Sequence, residues 1–378
     1  MMRRKIAGLI AAVFLPMVIF LTACTPQAAP AQPTPAELAE PAKPEAQSEA
    51  AATRTIVDCD GRTVEIPAGD LKIACLYAYA GHGMTLLNTQ DQIVALVEGL
   101  KRDQLMQMKR PDIGSLSVPS ATGVINVEEL IASGADIALI RHSIALSGAE
   151  TEKLEKAGIP YVVIDYTNIE EQKHSIEVLG EVLNRQEAAK AYLDFYEETI
   201  GWAQSRISDI PSEERVRIYH AVNEATRTDA KGSIQEEVTT LAGLINVSAE
   251  AGAAMADEKT FVTLEEIYIW APEAIIANEH LVTSYILTDA KWQGLGAVQS
   301  GQVSSLPVGI SRWAHPGSIE TPMAVLYLAQ YFYPEKFEDL DMIQFTADYY
   351  KTFFGLDFTA EEVEEILSGI GMREAKTS

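Results

Sequence analysis

The chain has 378 residues, of which 47% are hydrophobic, and its formal net charge at pH 7 is −25. The length favours two domains, and the apolar content is sufficient for a folded core. So acidic a surface repels nucleic acid and anionic lipid headgroups, which excludes both as expected partners and makes any local group of Arg and Lys residues noticeable.

The first 24 residues have the pattern of a secretory signal. Arg3, Arg4 and Lys5 precede an uncharged apolar run that ends at Leu21, and at about 16 residues this run is short for a membrane span. Residues 21–24, Leu-Thr-Ala-Cys, resemble the bacterial lipobox. We therefore predict that Cys24 is lipidated and anchors the protein to the outer face of the cell membrane, the periplasmic side in a Gram-negative cell. The alternatives are an uncleaved transmembrane anchor and a plain signal peptide.

The next segment, residues 25–53, is dominated by Ala, Pro, Glu and Gln and predicts a flexible, disordered tether. Two further cysteines follow it, Cys59 and Cys75. They would pair in an oxidising compartment, or Cys75, which lies in an apolar run, would remain a buried thiol.

The rest of the chain alternates between short apolar runs and helical patterns. Residues 54–167 and 211–378 each read as one α/β lobe, because short buried strands separated by helices predict parallel sheets. The predicted strands are residues 71–77, 92–97, 136–140, 161–165, 215–221, 274–277 and 302–306. The predicted helices are residues 127–133, 149–157, 234–242, 264–269, 322–331 and 360–370.

Residues 168–210 separate the two lobes and carry no strand signal. Apolar residues recur there at helical spacing, with charges between them. We predict one long linker helix, and residues 183–187 mark the place where it would break.

The same small cassette occurs once in each lobe, at residues 125–140 and 262–277. Each copy begins a helix with Glu residues in its first turn, which suits the helix dipole, and continues through a tight turn into an apolar strand. Two copies predict two similarly built lobes rather than a solenoid.

These segments, taken in order, resemble the class III periplasmic substrate-binding proteins of ABC importers, which serve ferric siderophores, haem, cobalamin and, in some members, oxyanions. The resemblance covers roughly residues 56–367, with Ala135 where the family usually has Pro; it rests on residues 57–67, 126–137, 232–247, 263–273 and 313–337. It implies two Rossmann-like lobes joined by a single rigid helix, with the ligand in the cleft between them. It also implies a monomeric, non-enzymatic receptor without a cofactor, which delivers its ligand to a permease and its ATPase.

The resemblance assigns a docking role to one acidic residue on each lobe. By position these are Glu128 and Glu265, which would contact arginines of the permease. The alternative is that both residues only cap their helices.

Cationic and aromatic residues follow the predicted strands, at the sheet edge where α/β proteins bind ligands. Arg residues offer paired donors for carboxylate or phosphate-like oxygens, aromatic rings offer flat walls, and His82 or His315 would serve if a metal is bound directly. Each candidate could instead be solvated, packed or paired with a neighbouring acid. The candidates are Tyr77, Tyr79, His82, Arg141, Arg227, Arg312, Trp313 and His315, with His142, Lys231 and His280 in the same loops.

Two ligand classes fit these residues. A metal chelate, such as an iron–siderophore, haem or a corrinoid, needs a broad aromatic-lined cleft with a few cationic anchors, and the aromatic candidates favour it. The alternative is a small oxyanion such as molybdate or tungstate, held in a tight pocket of N–H and Arg donors. A surface lipoprotein without a transporter is a further alternative. An enzyme is not expected, because no Gly-x-Ser-x-Gly, His-Glu-x-x-His or phosphate-binding loop occurs.

Overall fold

Two four-stranded parallel sheets, one in each half of the chain, form the frame of the protein. The computed structural model describes residues 52–253 and 259–374. The signal peptide, the lipidated Cys24 and nearly all of the tether predicted from the sequence lie outside the described residues. The strands are β1 (Thr53–Val57), β2 (Thr63–Pro67), β3 (Ile73–Cys75), β4 (Ile93–Leu96), β5 (Ser120–Ala121), β6 (Val124–Ile125), β7 (Ile137–Ile140), β8 (Tyr161–Val163), β9 (Arg217–Ala221), β10 (Arg227–Thr228), β11 (Ile245–Asn246), β12 (Thr260–Phe261), β13 (Ala274–Ala277) and β14 (Val303–Ser305).

Helices cover the faces of both sheets and fill the space between them. Within the described ranges, no helix combines the length and the apolar character needed to cross a membrane. The helices are α1 (Ala78–Leu86), α2 (Glu98–Lys101), α3 (Gln104–Lys109), α4 (Val127–Ala132), α5 (His142–Ala145), α6 (Gly148–Lys156), α7 (Ile169–Val182), α8 (Gln186–Ile207), α9 (Ile234–Leu241), α10 (Val247–Glu250), α11 (Leu264–Trp270), α12 (His280–Thr288), α13 (Gly296–Gln299), α14 (Thr321–Phe332), α15 (Met342–Phe354) and α16 (Ala360–Ser368).

The two sheets have the same strand order. In the N-terminal lobe it is β4-β3-β7-β8, and in the C-terminal lobe it is β11-β9-β13-β14, with all neighbours parallel. Numbered within each lobe, both orders read 2-1-3-4. The predicted α/β class with two similarly built lobes is confirmed, and so are the seven strands. The sequence patterns missed β11, because two paired residues are too few to give a periodic signal.

The predicted linker region forms two helices instead of one, and the break lies where the sequence placed it. Helix α7 ends at Val182, Asn184 takes a left-handed conformation with φ +54°, and α8 begins at Gln186. The two helices then run antiparallel, since Lys173 forms an ion pair with Glu197 at 3.1 Å across them. Only α8, about 33 Å long at 1.5 Å per residue, extends from one lobe toward the other.

Close packing of α7 on α8 explains the break. A Cβ on Gly180 would lie 2.7 Å from the Cβ of Ala189, so the two backbones approach closely at a position without a side chain. Together with the left-handed turn at Asn184, this lets the chain reverse where a continuous helix would separate the lobes.

One hydrophobic cluster joins the two lobes. It includes inward-facing residues of both sheets, such as Ile137 in β7 and Ile276 in β13. It also includes Tyr192 of α8, together with Tyr350 and Phe354 of α15. The opposite face of each sheet packs its own smaller cluster. The two lobes are therefore built on one shared core.

Both described cysteines are free thiols, so the disulfide alternative is not formed. Cys75 is fully buried in the shared core, and Cys59 is partly buried, which raises the pKa of its thiol to about 12. Neither thiol is therefore a strong nucleophile at neutral pH.

The packing of α7 on α8 predicts opposite effects for two Gly→Ala substitutions. Gly201→Ala, in the exposed interior of α8 with no atom near the new Cβ, should raise the free energy of unfolding by about 0.5–1 kcal/mol through helix propensity. Gly180→Ala should lower it by about 1–2 kcal/mol, because the methyl collides with Ala189. Urea unfolding measures both values.

The double variant Gly180→Ala with Ala189→Gly provides the control for this contact. It should lose less stability than the sum of its two single variants, since removing the Ala189 methyl removes the collision. An equal gain in the free energy of unfolding from Gly180→Ala and from Gly201→Ala would contradict the close packing of α7 on α8.

Candidate ligand-binding cleft

A cleft opens between the lobes at the carboxyl ends of the parallel strands. It has an outer chamber of about 550 Å³ and an inner pocket of about 260 Å³. The residues that line both spaces are Tyr77, Arg141, Arg227, Lys259 and Pro316. In open α/β sheets, ligands bind where the strand order reverses. Tyr77 and Arg141 follow β3 and β7, and Asn223 and Glu279 follow β9 and β13, at the two points of reversal.

The inner pocket carries a strong excess of positive charge. Among the residues that the structure describes, four arginines and one lysine line it, against the single carboxylate of Asp103. The cations are Arg141, Arg227, Arg312, Arg373 and Lys259. In a chain with a net charge of −25, this concentration is the clearest electrostatic feature of the cleft.

Arg312 lies at the centre of this pocket. Its Nη1 donates to Glu279 Oε1 at 2.7 Å and also to the Asn223 side-chain oxygen. Its Nη2 lies 2.6 Å from His315 Nε2. Burial and neighbouring cations lower the pKa of Arg312 to about 10, so the guanidinium remains charged at neutral pH.

His315 faces two hydrogen-bond donors. Burial, reinforced by Arg312, holds the pKa of its ring well below the usual value, so the ring is neutral at pH 7. The Gly317 N–H points at Nδ1 over 3.0 Å, and the Arg312 guanidinium points at Nε2. A neutral imidazole can accept at only one nitrogen. One of the two donors is thus left without an acceptor on this ring.

Two residues at the same place have a left-handed backbone conformation. Ala314 and Asn223 have φ values of +54° and +66°, which non-glycine residues rarely adopt. Ala314 turns the chain between the buried Trp313 and the pocket-lining His315. Such strain is typical of sites where a loop holds a ligand.

A buried carboxylate fixes the loop that carries Arg312 and His315. Glu320 is fully buried and accepts from the Ser311 N–H and hydroxyl, each at 2.8 Å, and from the Tyr350 hydroxyl. From the N-terminal lobe, the Tyr166 hydroxyl donates to Pro316 O at 2.7 Å, and from α7 the Gln172 Nε2 donates to Ser318 O at 2.9 Å. Contacts from both lobes therefore set the position of the loop.

The outer chamber has walls of opposite charge. The N-terminal lobe and helix α7 contribute three acids and the C-terminal lobe three cations, with Arg141 and Asp229 as exceptions to this division. The acids are Asp60, Asp165 and Glu171, and the cations are Arg227, Lys231 and Lys259. His142 forms part of the N-terminal wall and contacts Asp60 Oδ1 through Nδ1 at 2.8 Å.

The cleft brings together six of the eight residues selected from the sequence. These are Tyr77, His82, Arg141, Arg227, Arg312 and His315. The other two, Tyr79 and Trp313, are 0% exposed and lie in the shared core. The Tyr79 hydroxyl bonds Ser175 Oγ at 2.8 Å, because α1 turns this side chain toward α7. Trp313 packs edge-on against Tyr327.

Other lining residues were not selected from the sequence. Lys259 and Asn223 lie in loops of the second lobe. Asp103 and Arg373 form an ion pair 270 positions apart, which no local pattern announces. His142, Lys231 and His280 were secondary candidates in the sequence. His142 and Lys231 line the outer chamber, whereas His280 contacts Ser305.

The described part of the chain contains no group of three or more His, Cys, Asp or Glu side chains arranged to hold a metal ion. His82 is buried and contacts Asp103 at 3.1 Å, and burial lowers the pKa of its ring to about 3. A metal contacted by His82 or His315 would therefore have to bring most of its ligands with it.

Comparisons with known proteins agree with this architecture. The family model for periplasmic binding proteins matches residues 84–308. The molybdate-binding protein MolA of Haemophilus influenzae is 24% identical over 329 residues, 81% of this chain and 92% of that protein. The structure of MolA with molybdate superimposes with a TM-score of 0.72 at 21% identity, over 81% of this chain and 99% of that chain.

Two further solved structures share the fold. A periplasmic solute-binding protein from Veillonella parvula gives a TM-score of 0.72 at 21% identity, over 85% of this chain and 98% of that one. Helicobacter pylori CeuE with Ni(II) bound gives 0.68 at 20% identity, over 83% of this chain and 99% of that one.

The neutral state of His315 predicts a pH effect on stability. Below about pH 6.5 the unfolded chain protonates this ring and the folded chain does not, so the free energy of unfolding falls as the pH falls. One ring contributes up to about 1.4 kcal/mol per pH unit in this window. The loss between pH 7 and pH 5 should therefore be smaller by about 1–2 kcal/mol in His315→Gln than in wild type, measured by urea unfolding. An equal loss of unfolding free energy in both proteins would show that folding does not lower the pKa of this ring.

Proposed function

The chain belongs to the periplasmic binding protein family, and we propose that its ligand is a small oxyanion of the size and charge of molybdate or tungstate. The family assigns the general role. The chain is a substrate-binding protein of an ABC transporter, a non-enzymatic component that works outside the cytoplasm and delivers a small ligand to a permease.

The excess of guanidinium groups at the inner pocket carries the proposal. A dianion with four oxygens can accept paired hydrogen bonds from several arginines, whose planar forks match oxyanion geometry. Arg227 forms no ion pair with any described residue, and Arg312 shares one acid, Glu279, with Arg373. The pocket thus holds more positive charge than its own acids neutralise.

The donors around His315 support the same ligand class. Because the neutral ring accepts only one of the two donors that face it, the remaining Arg312 or Gly317 N–H is available to a ligand oxygen. An unsatisfied donor near a charged group costs free energy that a bound anion would recover. The similarity to MolA of H. influenzae, a molybdate-binding protein, also supports an oxyanion as the ligand.

An anionic metal chelate is the second candidate, favoured by the 550 Å³ of the outer chamber. Aromatic residues favoured this class in the sequence, but two of them, Tyr79 and Trp313, are buried in the core and do not line the cleft. Among described residues, Tyr77 and Tyr166 are the aromatic side chains that line the chamber. We therefore rank the oxyanion first.

Delivery to the transporter rests on one exposed acid of each lobe. Glu128 and Glu265 are exposed and form no hydrogen bond or ion pair with a described residue. Their neighbours support the local structure instead, since Glu129 accepts from Ser117 and Glu266 completes a capping box with Thr263. We propose that both free carboxylates contact the permease, while a lipid on Cys24 and the tether at residues 25–53 keep the protein near it.

Molybdate and tungstate should raise the melting temperature of the wild-type protein and give measurable heats of binding. Arg227→Gln should weaken binding about tenfold or more, since a hydrogen bond to a charged group contributes about 1.5–3 kcal/mol. The matched control is Arg206→Gln, which removes a surface cation paired with Asp339 and should bind normally. Stabilisation by a ferric chelate and by neither oxyanion would reverse the ranking of the two candidates.

Glu128→Ala combined with Glu265→Ala should abolish uptake of the ligand by cells while leaving binding by the purified protein unchanged, because the two carboxylates lie outside the cleft. Glu361→Ala combined with Glu364→Ala removes two exposed acids of α16 and serves as the matched control. Normal uptake by the first double variant would refute the docking role.

A further inference from the structure

The chain returns to the N-terminal lobe after α16. This helix is fixed to the C-terminal lobe, where the Val308 N–H donates to Ile366 O at 3.0 Å. Residues 371–374, here called the return segment, then lie against the N-terminal lobe. The Gln104 N–H donates to Met372 O at 3.2 Å, and the Glu374 N–H donates to Arg102 O at 2.9 Å.

The return segment places the side chain of Arg373 in the inner pocket. Its Nη1 binds the carboxylate of Asp103, which is 0% exposed and also contacts His82 Nε2. Its Nε lies 4.0 Å from Glu279 Oε1, across the cleft on the C-terminal lobe. Arg373 therefore stands between one acid of each lobe.

Part of this guanidinium makes no hydrogen bond. The Arg373 side chain is 10% exposed, and its buried Nε makes no hydrogen bond to any described residue. Burial and the nearby Arg102 lower the pKa of Arg373 to about 10, so the group stays charged at neutral pH. A buried, charged donor without an acceptor is costly unless a ligand satisfies it.

We propose that Arg373 is a ligand-contacting residue, that the return segment delivers it to the pocket, and that Asp103 holds it in position. The inference rests on the proposed oxyanion ligand. Asp103 engages Nη1 and leaves Nε for a ligand oxygen. Because Arg227 and Arg312 reach the same pocket from the C-terminal lobe, one anion bonded to all three joins the lobes through its own oxygens.

Isothermal titration of wild type and four variants with molybdate tests this role. Arg373→Gln should weaken binding at least tenfold, because it removes a charged donor and leaves Asp103 to repel the anion. Asp103→Asn, which keeps a hydrogen-bonding side chain at this position, should bind at least as tightly as wild type. The double variant should bind at least tenfold more weakly than Asp103→Asn alone, since the donor is still missing. Arg206→Gln controls for the loss of one cation.

Two results would overturn the proposal. Wild-type affinity in the double variant would mean that Arg373 only neutralises Asp103. Wild-type affinity in Arg373→Gln would mean that the guanidinium does not reach the ligand. Melting temperatures without ligand identify a variant that fails to fold, and Arg373→Lys, which keeps the charge without the planar fork, should then fall between wild type and Arg373→Gln.

Hydrogen exchange without ligand separates this inference from the proposed function. If the return segment is held by the Arg373–Asp103 pair, Arg373→Gln should speed exchange of the Gln104 amide at least tenfold and leave β9 and β13 unchanged. Failure of wild type to bind molybdate or tungstate would end the proposed function and the ligand contact together. Unchanged exchange at Gln104 would end the positioning role alone.

Discussion

The hydrophobic core shared by the two lobes is the constraint on which the cleft depends. Residues of both sheets belong to one packed cluster with Tyr192 of α8 and with Tyr350 and Phe354 of α15, so a shift of one sheet disturbs contacts made by the other. The shared core directs the carboxyl ends of both sheets toward one cleft. It also argues that closure on a ligand is small, because a packed core has few alternative arrangements.

The second defining feature of the cleft is the positive charge of its inner pocket. The net charge of the chain is −25, yet one pocket of about 260 Å³ is lined by four arginines. These are Arg141, Arg227, Arg312 and Arg373. Like charges so close together oppose one another; Asp103 pairs with Arg373 and Glu279 with Arg312, while Arg227 forms no ion pair with a described residue. An anion is the counterion that such a pocket lacks, and its binding would relieve repulsion that folding alone leaves in place.

Sequence patterns were sufficient where local periodicity decides the structure. Strands and their carboxyl ends follow from short apolar runs, so Arg141, which directly follows β7, lies at the sheet edge as expected. How deeply a side chain is buried, and how two helices pack after the chain turns, depend instead on contacts between segments that are distant in the sequence. Tyr79 and Trp313 were expected in the cleft, but the packing of α1 on α7 and the inward fold of the 310–320 loop bury both. The break between α7 and α8 was placed from the sequence, but the antiparallel packing of these helices and the Arg373–Asp103 pair require contacts that no local pattern encodes.

The most direct test of an oxyanion held between the lobes is a crystal structure of the protein grown with tungstate, with data collected at the tungsten absorption edge. The account predicts one strong anomalous peak in the inner pocket, within hydrogen-bonding distance of the Arg227 and Arg312 guanidinium groups. A peak confined to the outer chamber, or electron density there for an organic chelate with an empty inner pocket, would contradict it.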